Sequence, residues 1–464
     1  MPPPPPSGTP AFGTSPTEPV STEETTTFET VLDSIGLKRY QMTVVACCAL
    51  VAMIDGFDTQ AIGLVAPEIA AEWRVNPSAF GLVFGVGLFG SLVGALLFGV
   101  TSDRFGRKPN LLAAVVVFAL VSLATPLTTS VEGLMLARFL TGFGLGGALP
   151  GIISITCEYT PRRMRATIVG LMFCGFPLGA TIGGVVAAKL IPTFGWQSVF
   201  YLGGGAPLLL LPLLAVRLPE SAQFLAIRGD RERLGKVLAR MKIPLRAEQI
   251  APEPPMTRSP VASLFTEGRA AGTLLFWAGI FLSLLMAYLL VNWIPLVARL
   301  TGVDRSAAVL GVAVLNLGGV IGCLTLGRLA DRTRRPTLVL GWGYALGALA
   351  IASIGLSNGS ASTLLLTSLV AGFLAIGAQI CTVALCASFY ETALRATGVG
   401  WSVGIGRIGA IVGPVLGGLL LGAGVGAPVL FMVTGLAALG AAIAVFAVGR
   451  RYVHVGRREA TDQR

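Results

Sequence analysis

The feature that most constrains this chain is a series of twelve long apolar stretches separated by short polar segments. A helix of about 20 mostly apolar residues is needed to cross the hydrocarbon core of a bilayer. The stretches are continuously apolar rather than alternating, which excludes open sheets and a lipid-facing β-barrel. The sequence therefore predicts an all-α membrane protein with twelve transmembrane helices. They lie near 42–68, 78–100, 110–128, 132–158, 166–190, 196–216, 270–298, 306–327, 337–356, 361–388, 396–420 and 426–448.

The low charge content excludes the main soluble classes. Only 12% of the 464 residues are charged, whereas a soluble globular protein carries roughly 25%. The chain therefore has too few charges to cover the surfaces of several soluble domains. The net charge of +11 also does not indicate a nucleic-acid binder, because nucleic-acid binding needs a basic face on a polar domain.

Polar segments divide the chain into five parts. Residues 1–27 are rich in Pro, Ser and Thr and predict a disordered tail. Residues 28–216 and 270–449 each hold six spans. Between them, residues 217–269 predict a linker with a helix-like basic run. Residues 450–464 predict a second tail.

The distribution of basic residues predicts an orientation. If both termini are cytoplasmic, the short cytoplasmic segments hold 18 Lys and Arg residues and the linker holds 10. The positive-inside rule requires such an excess of basic residues on the cytoplasmic side. We therefore expect both termini and the linker to lie in the cytoplasm, and the chain to lie in the plasma (inner) membrane. The external loops hold only four basic residues, which are Arg74, Lys189, Arg299 and Arg305.

Neither a metal site nor a cofactor is expected. All seven cysteines lie in or at the ends of spans, and the single histidine is His454 in the C-terminal tail. Ligands for a structural metal, a haem or another redox group are therefore missing, and the cysteines are expected to pack as small apolar residues. These observations argue against a membrane enzyme.

The two halves repeat each other. GVTSDRFGRKP at Gly99–Pro109 is followed 228 residues later by GRLADRTRRP at Gly327–Pro336, and RATIVG at Arg165–Gly170 recurs after 230 residues as RATGVG at Arg395–Gly400. Two motifs at nearly one offset indicate a duplicated six-span unit. Parallel repeats of this kind are typical of major facilitator transporters, in which the substrate site lies between the halves.

The motifs themselves resemble a known family. Gly99–Pro109 is similar to the loop signature of the major facilitator superfamily. Several other segments resemble the aromatic acid:proton symporters of that superfamily, the 4-hydroxybenzoate and benzoate type. These segments are Asp55–Gly63, Arg138–Pro150, Glu158–Arg163, Gly195–Phe200, Leu218–Ser221 and Tyr288–Pro295. The resemblance implies a transporter that couples protons to aromatic acids.

Three charged residues within the spans are the main candidates for chemistry. Asp55 and Asp58 lie about 13 residues (~20 Å) inside the first span, and their spacing of three places them on one helix face. Ionisable groups at that depth are costly and usually functional, so this pair is expected to take up and release protons. Arg138 in the fourth span is always charged and must pair with a carboxylate, either an aspartate or an anionic substrate.

Further residues are candidates for the cavity that binds substrate. Arg407 is the other cation inside a span and offers an alternative anchor for a carboxylate. Tyr288 and Trp293 can stack on an aromatic ring. The remaining polar candidates are Gln60, Asn292, Asn316 and Gln379.

The repeated loops predict a gate on the cytoplasmic side. Several ion pairs there, each weak when exposed, can together bias inward-facing against outward-facing states. Glu158 is expected to pair with the basic residues that follow it. Stripes of glycine in the fifth and eleventh spans are expected to pack where the halves move against each other. The gating candidates are Gly99, Asp103, Arg104, Gly106, Arg107, Lys108, Glu158, Arg165, Asp331, Arg332, Arg335 and Arg395.

Two functions follow from these features. The first is a symporter, functional as a monomer, that imports a small aromatic carboxylate with a proton by alternating access. The alternative is a proton-coupled drug or metabolite antiporter on the same fold. Antiporters of this kind have a GPxxGG motif in the fifth span. In this chain the motif occurs instead in the eleventh span, as GPVLGG at Gly413–Gly418, which favours the symporter.

Overall fold

The computed structural model describes residues 26–245, 247–251, 261–357 and 359–452. Within these residues, twelve helices are long and apolar enough to cross a membrane, as predicted. We number them spans 1 to 12. Spans 1 to 6 are Arg39–Trp73, Phe80–Phe105, Arg107–Ala124, Val131–Glu158, Arg165–Phe173 with Gly175–Phe194, and Gln197–Arg217. Spans 7 to 12 are Ala270–Leu300, Arg305–Thr333, Pro336–Ile354, Ala361–Ala371 continued by Gly372–Ile376 and Gly377–Phe389, Thr392–Gly422, and Ala427–Arg451.

Local signals set the ends of several spans. Ser130 caps span 4 by accepting a hydrogen bond from the backbone N–H of Gly133 at 3.1 Å, and Asp304 caps span 8 in the same way at Ser306 (2.9 Å). Gly106 joins spans 2 and 3 with a φ of 101°, a conformation that favours glycine. These caps fix where each helix starts, whereas the apolar sequence makes helix the only structure that satisfies the backbone in lipid.

The buried core shows how the two halves meet. One large apolar cluster combines residues of both halves, among them Leu64 and Phe84 of the first half with Leu290 and Val312 of the second. On the side of the linker, each half instead has its own cluster. Spans 1, 2 and 5 face spans 7, 11 and 8. The halves are therefore sealed together at one face and separated at the face that carries the linker.

A layer of short elements covers the first half on that open face, and we call it the linker-side layer. It consists of the helices Phe28–Ile35, Ala222–Arg228 and Arg231–Arg240, the 3-10 turn Ala247–Gln249, and the strands Thr26–Thr27 and Ile250–Ala251. The two strands pair in parallel. Leu32, Leu225 and Leu238 of the layer are buried in the cluster of the first half. The described elements of the layer are therefore packed against the first half.

The layer refines the predicted domain limits. Residues 26 and 27, predicted to belong to a disordered tail, form a strand, and Thr27 caps the following helix. The basic run of the linker forms the helix Arg231–Arg240, as its pattern predicts. The rest of the N-terminal tail and residues 453–464, including His454, lie outside the described residues.

The glycine stripes pack differently from the prediction. A Cβ at Gly179 of span 5 would collide with the backbone of Met53 in span 1, and one at Gly413 of span 11 with the backbone of Leu285 in span 7. Both stripes therefore hold neighbouring helices of the same half together, so the expectation that they lie between the halves was wrong. Between the halves, Gly81 of span 2 meets Gly418 of span 11, where a Cβ on Gly81 would lie 2.8 Å from the Cα of Gly418.

Candidate functional site

A cavity of about 2830 Å³ lies between the halves and opens at the face that carries the linker. Asp331, Arg334 and Arg451 line its mouth. The lining continues inward to nearly all of the charged and polar cavity candidates. These are Asp55, Asp58, Gln60, Arg138, Tyr288, Asn292, Asn316, Gln379 and Arg407. The structure thus brings together residues that lie far apart in the sequence, as expected of a site between two repeats.

Asp58 and Arg138 form a buried ion pair in the wall of the first half. Arg138 Nη1 lies 3.6 Å from Asp58 Oδ2, and the side chains are 4% and 0% exposed. Ser122 Oγ donates a hydrogen bond of 2.7 Å to the other carboxylate oxygen of Asp58. Because the guanidinium cannot deprotonate, the pair neutralises two charges that neither residue could bury alone.

Hydroxyl and aromatic groups complete the environment of Arg138. Its Nη2 donates to the hydroxyl oxygens of Thr125 at 3.0 Å and Thr141 at 3.1 Å. The guanidinium carbon lies 4.7 Å from the centre of the Phe200 ring, a distance suited to cation–π attraction. These partners hold the arginine within the first half. Their role could not be predicted from the sequence, since single Ser, Thr and Phe residues are common in spans.

Asp55 occupies a different environment from Asp58. It is 3% exposed and accepts a hydrogen bond from Thr59 Oγ1 at 3.1 Å. Its second oxygen, Oδ2, has no hydrogen-bond partner among the described residues. Arg407 is the cation within electrostatic range of it. Asp58 Oδ2 also lacks a hydrogen-bond partner, but it lies within ion-pair distance of Arg138, whereas no ion pair is found for Asp55 among the described residues.

Arg407 projects from span 11 into the same cavity. Its side chain is half-buried, and no hydrogen bond or ion pair is found for it among the described residues. It is also within electrostatic range of Tyr288. Arg138 is engaged by three polar side chains, whereas Arg407 is a cation with free hydrogen-bonding capacity in the cavity.

Gln60 and Asn316 join the two halves across the deep end of the cavity. The amide of Gln60 donates to Asn316 Oδ1 at 3.2 Å, and the amide of Asn316 donates to Gln60 Oε1 at 2.9 Å. Asn316 also donates to the carbonyl of Val312 in its own helix (2.9 Å). This reciprocal pair closes the cavity on the side away from the linker.

The remaining cavity candidates fall into two groups. Tyr288, Asn292 and Gln379 line the cavity, and Asn292 donates to the carbonyl of Tyr288 at 2.7 Å. Trp293 does not line it. Its ring is fully buried and its indole N–H donates to the carbonyl of Pro414 at 3.0 Å. Since consecutive residues are rotated by about 100° around a helix axis, Trp293 faces neighbouring helices while Asn292 faces the cavity.

Glu220 connects the signature loop of the first half to the linker. In the sequence it is distinguished only as part of the segment Leu218–Ser221. Its Oε1 accepts hydrogen bonds from the backbone N–H groups of Arg107 (2.8 Å), Lys108 (3.1 Å) and Ser221 (2.9 Å). Lys108 Nζ donates to the carbonyl of Ala215 at 2.6 Å. A carboxylate thus caps the start of span 3, where it also complements the helix dipole.

The side chains of the same loop form ion pairs within the first half. Arg107 lies 3.8 Å from Asp103 and 3.5 Å from Glu158, and it donates to Ser154 Oγ at 3.2 Å. Arg104 lies on the exposed end of span 2, over the Phe105 ring. The structure therefore pairs Glu158 with the signature loop.

Two of the basic residues that follow Glu158 in the sequence bind Glu29 of the linker-side layer. Both Arg162 and Arg165 donate to its carboxylate, the latter at 2.9 Å. The hydrogen bond from Arg162 and the charge of both arginines hold the pKa of Glu29 below its ordinary value, although partial burial acts in the opposite direction. This ion pair ties the layer to the loop between spans 4 and 5.

The copy of the loop in the second half is built differently. Asp331, Arg332 and Arg335 are exposed, and Asp331 faces the mouth of the cavity. Arg395 is also exposed at the mouth. An added Cβ would meet nothing at Gly99 and only Cys381 Sγ, at 3.7 Å, at Gly327. Among the described residues, Arg107 of the first copy is therefore held by ion pairs, whereas its counterpart Arg335 is exposed.

The face away from the linker is closed by a second set of contacts. Arg305 Nε of span 8 lies 3.1 Å from Glu68 Oε1 of span 1. Beside it, Ser306 Oγ donates to the carbonyl of Ala188 in span 5 at 3.2 Å. The molecule is thus in the conformation that is open toward the linker. No group of His, Cys, Asp and Glu suited to hold a metal occurs in the ranges that the structure describes.

Comparison with known proteins agrees with this architecture. A family model described as Major Facilitator Superfamily matches residues 48–389 and 276–463. The chain is 39% identical over 424 residues to a gallate transporter of Pseudomonas putida, covering 90% of this chain and 94% of that one. It is 42% identical over 398 residues to the 4-hydroxybenzoate transporter PcaK of Pseudomonas aeruginosa, covering 84% and 88%.

Solved structures show the same fold. A partially occluded inward open conformation of the xylose transporter XylE from E. coli superposes with a TM-score of 0.68 at 19% identity, covering 90% of this chain and 98% of that one. A bacterial homologue of the lysosomal transporter Spinster, inward-facing and unoccupied, gives a TM-score of 0.67 at 18% identity, covering 91% and 98%.

The sequence matches span nearly the whole of both chains, and the relatives are named as transporters rather than enzymes. The predicted twelve-helix architecture in two six-helix halves is confirmed. This chain belongs to the major facilitator superfamily and, within it, to the group that contains these curated aromatic-acid transporters.

Proposed function

We propose that this protein imports a small aromatic carboxylate together with a proton, by alternating access of the cavity to the two sides of the membrane. The observation that carries the proposal is a set of four charged residues that line one cavity, the buried Asp55, Asp58 and Arg138 and the half-buried Arg407. The names of the curated relatives, which carry gallate and 4-hydroxybenzoate, support an aromatic acid as the substrate.

Asp55 is the proton site in this proposal. Asp55 lines the cavity, and its Oδ2 has no hydrogen-bond partner among the described residues, so in this proposal Oδ2 exchanges its proton with water while the cavity is open. Once the cavity closes, a charged Asp55 is costly, and the protonated form is the one that can be occluded. Asp58 keeps its charge in this proposal, because Arg138 beside it carries the compensating positive charge. This arrangement gives the two aspartates separate roles.

Arg407 is the proposed anchor for the carboxylate of the substrate. Its unpaired guanidinium can bind a carboxylate through two hydrogen bonds, and Tyr288 supplies an aromatic surface in the same cavity. Arg138, the alternative anchor, first has to leave Asp58 and two threonine hydroxyls. Binding one monoanion with one proton makes the transport step electroneutral.

The orientation and the gates belong to the same proposal. The termini, linker and linker-side layer lie in the cytoplasm, and the chain resides in the plasma (inner) membrane as a monomer, with residues 28–216 and 270–449 as the moving halves. The excess of basic residues on that face supports this orientation. The structure then corresponds to the inward-facing state, and the signature loops form the cytoplasmic gate when the mouth closes.

The experiment is uptake of radiolabelled benzoate, 4-hydroxybenzoate, gallate and protocatechuate into proteoliposomes. Wild type is expected to accumulate at least one of them under an inward proton gradient and to lose accumulation with a protonophore. Asp55→Asn is expected to retain exchange of labelled for unlabelled substrate but not accumulation. Arg407→Gln is expected to lose both, whereas Glu132→Gln, an exposed acid at the start of span 4, behaves as wild type.

Two results contradict the proposal. Accumulation that a protonophore leaves unchanged removes the proton coupling. Export of the aromatic acids in exchange for protons, with no import, supports the antiporter alternative instead.

A further inference from the structure

The contact between Glu68 and Arg305 lies at the outer end of the seam between the halves. Glu68 belongs to span 1, and both Arg305 and Arg299 belong to the second half. A water-sized cavity of about 10 Å³ is lined by all three side chains. Arg299 is held in place by a hydrogen bond from its Nη1 to the carbonyl of Val303 (3.0 Å).

Opening of this face has a simple electrostatic consequence. The halves must separate here for the cavity to reach the other side of the membrane, so Glu68 leaves with the first half while both arginines stay on the second. The guanidinium groups of Arg305 and Arg299 then line one wall of the opening on this face. The Arg305 side chain is 49% exposed in the closed state and that of Glu68 is 16% exposed, so water reaches the arginine and screens the attraction between the two charges. A dissolved carboxylate can therefore compete with Glu68.

We propose that Arg305, assisted by Arg299, is an entry site for the carboxylate of the substrate, and that the arriving anion replaces Glu68 as the partner of Arg305. When the face closes again, Glu68 returns to Arg305 and the substrate is released toward the deep cavity. This inference rests on the proposed function, because it takes the transported species to be a carboxylate anion.

The route from this site inward is short and continuous along the same two helices. Gln60 lies eight residues before Glu68 in span 1, or about 12 Å along the helix axis. Its partner Asn316 lies on span 8, the helix that Arg305 begins. An anion released from Arg305 therefore meets the Gln60–Asn316 pair next, and the cavity with Arg407 lies beyond it.

The test is influx of radiolabelled benzoate at low and high ionic strength. Arg305→Gln is expected to raise the KM at least fivefold with the maximal rate within twofold, and to remove most of the salt dependence of KM. Arg305→Lys retains part of the affinity because it keeps the charge. Glu68→Gln lowers the KM, since it removes the competitor. The matched control is Lys189→Gln, an exposed cation one residue from Ala188 on the same face, which leaves the KM unchanged.

A second measurement is independent of transport. Ala308 is buried beside this contact, so Ala308→Cys reports opening through its reaction with a membrane-impermeant maleimide. Benzoate is expected to accelerate the labelling in the background with Arg305 and not in Arg305→Gln. If wild type imports no aromatic acid but benzoate still accelerates labelling through Arg305, the proposed function fails and the entry site stands. If import is normal and neither KM nor labelling depends on Arg305, the entry site alone is refuted.

Discussion

At the scale of single residues, the cavity wall holds two paired and two unpaired charges. Asp58 and Arg138 form an ion pair, although Asp58 Oδ2 and Arg138 Nε make no hydrogen bond. Among the described residues, Asp55 and Arg407 have no ion-pair partner. Sequence alone could identify all four, because a charge inside an apolar run is conspicuous. The sequence could not separate the roles of the two aspartates. Asp58 and Arg138 are bonded to the hydroxyls of Ser122, Thr125 and Thr141, and these contacts depend on how neighbouring helices pack.

Removing one partner of the buried pair is expected to destabilise the protein strongly. Asp58→Asn leaves the guanidinium of Arg138 without a counter-charge, at a cost of about 3–5 kcal/mol. The double variant Asp58→Asn with Arg138→Gln is expected to regain part of this loss, because two neutral amides can bond to each other. Thermal unfolding in detergent measures both. A double variant less stable than the sum of the single losses contradicts the pairing.

Glu29 gives a pH-dependent prediction. Its pKa in the folded protein lies below the ordinary value of 4.5, so the ionised pair contributes its full stability above the unfolded pKa. That contribution is lost as the pH falls through the folded pKa. The Tm of Glu29→Gln is therefore expected to lie below that of wild type at pH 5 to 7, with the gap narrowing below the ordinary value. A gap that is constant down to pH 3, or one equally present in the exposed-site control Glu248→Gln, argues against the ion pair.

At the scale of elements, the two repeats use one sequence pattern for different contacts. The duplicated loop predicted the duplicated architecture correctly, since the spacing of its glycine, aspartate and arginines is nearly the same in both halves. The difference in contacts could not be predicted. It arises from Glu220 and Glu29, which belong to polar segments where an additional carboxylate carries no distinct signal.

Glu220 offers a test of how the signature loop is held. Glu220→Ala removes the acceptor for three backbone N–H groups and is expected to cost about 1–2 kcal/mol, as for loss of a helix cap. Amide hydrogen exchange at Arg107 and Lys108 is expected to accelerate. Glu220→Gln keeps an acceptor oxygen, so its exchange rate at these amides is expected to lie between those of wild type and Glu220→Ala. Glu248→Ala, an exposed acid of the same layer, serves as control, and faster exchange in that variant as well assigns the effect to the layer as a whole.

At the scale of the whole molecule, the position of the large apolar cluster defines the conformational state. Residues of both halves share one core at the closed face and have separate cores at the open face. Spans 2 and 11 illustrate the same division, because Gly81 and Gly418 meet at the closed end while a Cβ at Gly400 or Gly404 would meet nothing at the other end. These glycines are suited to a close approach in the opposite state.

The Gln60–Asn316 pair is the smallest contact that can shift this equilibrium. Asn316→Ala removes two hydrogen bonds between the halves and leaves the amide of Gln60 unsatisfied, a loss of about 1–3 kcal/mol for the closed face. This corresponds to a roughly 5- to 150-fold shift toward the state that is open on that face. Spin labels at Lys189 and Leu300, on opposite halves, measure the change as a population at longer distance. Asn110→Ala, which removes amide contacts within one half, is expected to leave the distances unchanged.

The parallel pairing of Thr26–Thr27 with Ile250–Ala251 has a consequence for how the chain is made. The strand before span 1 cannot find its partner until residue 251 has been synthesised, by which time all six spans of the first half have been produced. The second half begins only at Ala270. We therefore expect the first half to fold during translation, with its two strands paired, before the second half is synthesised. The second half then packs against a half that is already folded.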